Sequence, residues 1–203
     1  MALQNEQYKK LAEDVGEAQR MRHDMRHHLI TIKGYLELGK LESASGYIDG
    51  LVGKDHYNDG AAICDNHAVD MILRHYLGLA REDNVRVETD VRLPKVFAMA
   101  DQDLCAVFGN LVENAVESCK RQDSGEKFIT IKAKVIHDNM LALTVTNSYS
   151  GNIIRHGDDF VSQKHDGTGI GTWSVRSIAE KSGGNCKFTF ADKVFKASVL
   201  FTP

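Results

Sequence analysis

Proline is almost missing from this chain, with two in 203 residues, at Pro94 and Pro203, which excludes a proline-rich linker protein. No run of about 18 apolar residues occurs, so the sequence as it stands holds no membrane-spanning helix. The first residues, Met1 to Gln7, lack the apolar centre of a signal peptide. Neither charge sign dominates: 25 basic against 28 acidic side chains give a net charge of -3. Without a basic footprint, nucleic acid is not an expected partner. Cysteine is sparse too, and Cys64, Cys105, Cys119 and Cys186 form no Cys-x-x-Cys pair, which argues against a zinc ribbon or a thioredoxin-like redox site. Four reduced, mostly buried thiols are expected instead. What is present is 42% hydrophobic and 26% charged residues. That is the composition of a folded globular chain of one or two domains, read here as soluble and cytosolic.

Two patterns divide the chain. From Glu6 to Leu38 the only interruptions are Gly16 and Gly34. Leu11, Val15, Ala18, Met21, Met25, Leu29, Ile32 and Leu36 recur at steps of three and four, a narrow apolar seam on a long helix. Gly39-Lys40 marks a break, and Leu41, Ala44, Tyr47, Ile48 and Leu51 define a shorter amphipathic helix. Gly53 to Gly60 reads as a polar linker. After it, Asn66 is placed to cap a helix over 67–81, 85–91 alternates as a strand, and Asp101 is expected to cap a helix to about Arg121. Strands are expected over 128–136 and 141–146 around the turn His137-Asp138-Asn139. A glycine-containing polar stretch over 148–168 has the length of a functional lid. A helix over 170–182, stopped by Gly183-Gly184, and a last strand pair over 186–190 and 195–201 follow. The expected class is α+β: a helical hairpin over 1–57, then a two-layer α/β unit over 58–203.

Two segments carry chemistry. Asp166-Gly167-Thr168-Gly169-Ile170-Gly171 opens a helix, where alternate glycines let backbone N–H groups approach an anion at the positive helix end. It matches neither a dinucleotide fingerprint nor a Walker loop. On the helix from Asp101, Asn110 and Asn114 are four residues apart and project from one face. Two such amides need a polar partner, and Mg²⁺ shared with nucleotide phosphates would supply one.

Together these segments resemble a known family. Asn110-Leu111-Val112-Glu113-Asn114-Ala115 resembles the N box of the GHKL (Bergerat) ATP-binding fold, and residues 166–175 resemble its G2 box. Met21-Arg22-His23-Asp24-Met25-Arg26-His27-His28-Leu29 resembles the H box of sensor histidine kinases, most like the quorum-sensing and citrate-type subgroup. The resemblance implies a dimerising hairpin that carries the phosphoacceptor, followed by a catalytic and ATP-binding domain. It implies ATP and Mg²⁺ as cofactors, a homodimer, and a response-regulator receiver domain as partner. A membrane connection would come only through a sensor region upstream, making the chain the cytoplasmic portion of a receptor.

The implied roles are specific. His23 takes the phosphoryl group and Asp24 accepts its other ring N–H. Asn110 and Asn114 hold Mg²⁺, while Gly167, Gly169 and Gly171 line the phosphates. Asn at position 110, where hydrolysing members of the fold place Glu, favours transfer over hydrolysis. His27 or His28 is the candidate for a phosphatase activity toward the regulator. The match departs at the G1 box: Asn147 stands where an adenine-reading Asp is usual, though the resembled subgroup also tends to carry Asn there. Lys164, or else Lys120, takes the place of a phosphate-binding Lys. The departure leaves an alternative, a degenerate GHKL domain acting as a dimeric protein-binding module. A further reading treats His23-Asp24-Met25-Arg26-His27 as an Asp version of the His-Glu-x-x-His zinc motif, which needs a third ligand and a cleft.

Overall fold

The computed structural model describes residues 2–52, 61–150, 155–156, 159–162, 167–168 and 170–203. Two compact units form, Met1–Asp55 and His56–Pro203. The polar linker expected over 53–60 lies outside the described residues.

The first unit is a helical hairpin of α1 (Ala2–Glu37) and α2 (Leu41–Val52). Gly39 ends α1 at φ +68°, a left-handed conformation that favours glycine. There the Gly39 N–H donates to Leu36 O at 3.0 Å and the Lys40 N–H to Tyr35 O at 2.9 Å, satisfying terminal carbonyls. Tyr47 of α2 meets α1: its ring lies 6.1 Å from Tyr35 and its hydroxyl is 3.0 Å from His28 Nδ1. Ala44 is buried at the hairpin contact. Much of the α1 seam is not covered within the chain, since Met21 is 72%, Met25 54% and Leu29 59% exposed.

The second unit places three helices against one sheet. Its elements are α3 (His67–Glu82), β1 (Arg86–Arg92), α4 (Asp101–Lys120), β2 (Phe128–Val135), β3 (Leu141–Ser148), β4 (Arg155–His156), β5 (Asp159–Ser162), β6 (Gly167–Thr168), α5 (Ile170–Lys181), β7 (Asn185–Ala191) and β8 (Val194–Phe201). The five-stranded sheet runs β1-β2-β3-β8-β7. β1 and β2 are parallel because α4 crosses between them, and the remaining pairs are antiparallel. Period-two alternation sends Ile129, Ile131, Leu141, Leu143, Val145, Ala197 and Val199 into one core with Leu73, Leu77, Val107, Phe108 and Leu111 of the helices. Lys132, Lys134 and Lys196, on the alternate positions, remain exposed. One apolar face and one polar face give a two-layer α/β sandwich.

Local chemistry explains the boundaries. Asn66 caps α3, its side-chain oxygen accepting from the Val69 N–H at 3.0 Å. Asp101, expected as the cap of α4, is instead its first helical residue. Ala100 takes the cap position with no side-chain bond, and the Asp101 carboxylate accepts from Asn66 Nδ2 at 3.4 Å. A carboxylate in the first turn still suits the helix dipole. β3 extends past Thr146 because it is paired on both sides: Asn147 sits opposite Ile129 and Phe195. The expected turn is a 3-10 segment, His137–Asn139, with Asn139 at φ +60°. Much of the lid expected over 148–168 lies outside the described residues. Within it β5 pairs antiparallel with both β4 and β6. Among the described residues, no helix is long and apolar enough to cross a membrane.

Candidate functional site

α4 buries Leu104, Val107, Phe108, Leu111, Val112, Ala115, Val116 and Cys119. Asn110 and Asn114 flank that stripe and are half-buried. Asn110 Nδ2 donates to Ala106 O, one turn back, at 2.7 Å. This orients the amide, with Oδ1 facing the start of α5. Gly171, in the first turn of α5, comes so close that a Cβ there would stand 3.0 Å from Asn110 Oδ1 and 3.3 Å from Asn114 Nδ2. Only a residue without a side chain leaves both amides undisturbed. The two sequence motifs therefore meet at Gly171, with an amide oxygen turned into the junction. Oxygen of this kind suits a hard divalent cation.

Asn147 is buried in β3, and its Nδ2 donates to Ser148 O at 2.8 Å. One of its two amide N–H groups is thus engaged within the chain, which orients Oδ1 as an acceptor. Beside it lies a buried polar cluster that sequence reasoning missed. Ser148 Oγ accepts from Gln122 Nε2 at 2.9 Å and from the Phe128 N–H at 3.1 Å. Cys119 Sγ lies 3.6 Å from the same hydroxyl. The cluster ties the end of α4 to β2 and β3 where Asn147 sits. A signal was available: Gln122 and Ser148 are polar residues at the ends of segments that are otherwise core.

All four cysteines are free. Burial is the first cause pushing each thiol upward from its ordinary range, with Asp70 and Asp65 adding to it at Cys64 and Asp101 at Cys105. At Cys119 the hydrogen bond to Ser148 works against burial without cancelling it.

The histidines lie in the hairpin. His23 and Asp24 are exposed, with His23 Nδ1 at 3.5 Å from Asp24 Oδ1, the outer limit of hydrogen bonding. His27, one turn on, places Nε2 3.2 Å from His23 Nε2. His28 turns away to Tyr47. That assigns it a packing contact in the hairpin, and Tyr47, read from sequence only as part of an apolar stripe, becomes its polar partner.

Of the expected site residues, the structure brings together Asn110, Asn114 and Gly171 in one unit, and His23, Asp24 and His27 in the other. Gly167 is in β6, opposite Ser162. Lys164 and Gly169 lie outside the described residues. Lys120, the other candidate for a phosphate lysine, has its Nζ 3.1 Å from Asp83 Oδ2. Among the described residues, no group of three or more His, Cys, Asp or Glu is placed to share one metal ion.

A two-layer α/β unit whose helix amides face a glycine at the start of another helix has the architecture expected from the N-box and G2-box resemblance. Residues 99–202 match the family model of the GHKL domain, and the chain belongs to that family. A curated relative, the "Probable C4-dicarboxylate sensor kinase" of Bacillus subtilis (strain 168), is 28% identical over 179 residues, covering 80% of this chain. The chain spans about a third of that relative, 32% of its length. The histidine kinase domain of the blue-light activated kinase from Erythrobacter litoralis superposes with a TM-score of 0.53 at 12% identity, over 84% of this chain and 85% of that one. The catalytic domain of histidine kinase ThkA superposes with a TM-score of 0.51 at 17% identity, over 67% of this chain and 91% of that one. At these identities the likeness establishes the fold, that of histidine-kinase catalytic regions.

Proposed function

We propose that this chain is the kinase core of a two-component sensor histidine kinase. It phosphorylates itself on His23 from ATP and passes the phosphoryl group to an aspartate of a response regulator. The observation that carries the reading is the junction at Gly171, where both N-box amides meet the G2-box glycine. The His-Asp pair on an exposed helix supports it.

Bound Mg-ATP supplies the phosphoryl group and much of the charge compensation that transfer needs. Asn110 holds Mg²⁺ through the Oδ1 left free by its bond to Ala106, and Asn114 joins it from the next turn. Gly167, Gly169 and Gly171 offer backbone N–H groups to the phosphates, with Lys164 as the neutralising cation. Asn147 meets the adenine amino group with Oδ1, the bond from Nδ2 to Ser148 O holding the amide in that orientation.

His23 presents Nε2 as the nucleophile. Asp24 accepts the Nδ1 proton, which holds the tautomer and raises the basicity of Nε2. His27, adjacent to His23, is the better placed of the two phosphatase candidates, because His28 is committed to Tyr47. The uncovered seam of α1 is the homodimer contact. The match spans only 32% of the Bacillus subtilis relative, which fits a core working in the cytoplasm behind a membrane-bound sensor region.

Calorimetry with Mg-ATP tests the nucleotide half. Asn114→Ala abolishes binding, whereas His23→Ala retains it. Full binding by Asn114→Ala would contradict the assignment. A second reading, a degenerate GHKL domain that docks a partner protein without phosphoryl transfer, draws on an uncharged Asn147, one N–H of which bonds to Ser148, where the G1 box usually has Asp. Absence of ATP binding by the unaltered chain would favour it.

A further inference from the structure

The His23–His27 contact carries more than a hydrogen bond between neighbours. The two Nε2 atoms stand 3.2 Å apart, and the rings meet edge to face at 68°, with centroids 4.4 Å apart. Two imidazole nitrogens bound to one zinc ion at 2.0–2.1 Å and a tetrahedral angle lie about 3.3–3.4 Å apart. The pair is therefore already spaced as two ligands of one coordination sphere. Asp24 lies within reach of His23 Nδ1 at 3.5 Å, as a carboxylate supporting a metal-bound histidine does. With Nδ1–H directed to Asp24, the His23 lone pair is on Nε2, facing His27.

We propose that His23 and His27 form a two-histidine chelate for a borderline divalent transition metal, represented by Zn²⁺, and that its occupancy withholds the acceptor nitrogen. The inhibitory half rests on the reading of His23 as phosphoacceptor. In the metal-free state His27 Nε2–H donates to His23 Nε2. On binding, that proton moves through solvent to His27 Nδ1, freeing the second lone pair, and water completes the tetrahedron. No net proton is released and no bond other than the coordinate bonds forms. A metal held by His23 Nε2 occupies the electron pair that would attack phosphorus, so binding and phosphorylation exclude each other. The site is regulatory and not hydrolytic: the helix is exposed around it, and no third side chain converges there among the described residues.

The test has two arms, both on the full chain. Zn²⁺ is first titrated without nucleotide, in competition with a chromophoric zinc indicator. One ion per chain is expected. Asp24→Asn should weaken binding by about tenfold through loss of ligand support, and His23→Ala and His27→Ala by at least as much. Absence of binding, or binding undiminished in His27→Ala, would overturn the chelate whatever the kinase does. In the second arm, labelling by Mg-ATP is measured as the ratio with and without Zn²⁺, Mg-ATP being in excess. The wild-type ratio should fall along the zinc-binding curve and recover with a zinc-selective chelator, while the ratio for His27→Ala stays at one. Zinc held by the pair with undiminished label would overturn the inhibitory half. If label also persisted in His23→Ala, the failure would lie with the acceptor assignment instead.

Discussion

Gly171 is the residue at which the proposed nucleotide site is most sensitive to a single substitution. An added Cβ would meet the movable ends of Asn110 and Asn114 at 3.0 and 3.3 Å. Those amides can swing aside, and alanine favours a helix over glycine by about 1 kcal/mol. Gly171→Ala should therefore leave the unfolding midpoint within about 1 kcal/mol of wild type. Mg-ATP affinity should fall at least about tenfold, the cost of losing one charge-assisted contact of roughly 1.4 kcal/mol. A denaturation curve and a calorimetric titration on the same sample separate the two effects. The sequence disclosed the Asn pair, because a spacing of four fixes a shared helix face, and the glycine-rich run that opens α5. It could not disclose which glycine touches which amide, nor that Ala106 orients Asn110, since both depend on how α4 and α5 pack. The commitment of Asn147 to Ser148 was likewise hidden by a strand that runs longer than its apolar alternation.

At the scale of elements, the hairpin and the sheet each have one sensitive joint. Tyr47→Phe removes the hydroxyl opposite His28. It should lower the stability of the first unit by about 1 kcal/mol, the usual net worth of a hydrogen bond, read as a shifted urea midpoint of α-helical signal. In the second unit a Cβ on Gly184 would overlap the Leu200 carbonyl, which is backbone and cannot give. Gly184→Ala should cost about 3 kcal/mol or more, because the start of β7 could no longer pair beside β8.

The polar cluster of Cys119, Gln122, Phe128 N–H and Ser148 joins α4, β2 and β3, and the burial of Cys119 within it gives the second unit a pH dependence. Burial raises the Cys119 thiol above its reference of 9.0, so the folded state holds that proton more tightly than the unfolded chain. Its contribution is complete below the reference value and is lost as pH rises through the higher folded value. The urea midpoint should therefore decline on the alkaline side, less steeply in Cys119→Ala. Most helices and strands were legible from periodicity and cap chemistry, including the Asn66 cap. The Asp101 cap was not, because the short Ala100 turn supplies the backbone geometry while the carboxylate is drawn to Asn66.

For the molecule as a whole, His23 and the Asn110–Asn114–Gly171 junction belong to different units, and the proposed phosphoryl transfer is a reaction between residues of both. The uncovered seam of α1, with Met21, Met25 and Leu29 exposed, is the surface on which the account places the dimer. Met25→Glu combined with Leu29→Glu should convert a dimer into a monomer by light scattering, while Mg-ATP affinity in the second unit is retained. A monomeric wild type at high concentration would contradict the seam assignment. The two-part organisation was legible because the apolar period changes from a narrow helical seam to alternating strands. The short strand pairing of β5 with β4 and β6 was not, since glycine-rich polar sequence carries no period.

The most direct measurement is incubation of the chain with radiolabelled ATP and Mg²⁺, followed by a test of the label in acid and in base. Acid-labile, base-stable label that is absent from His23→Ala is the expected result, identifying the chemistry and the acceptor together. Acid-stable label, or full labelling of His23→Ala, would contradict the account.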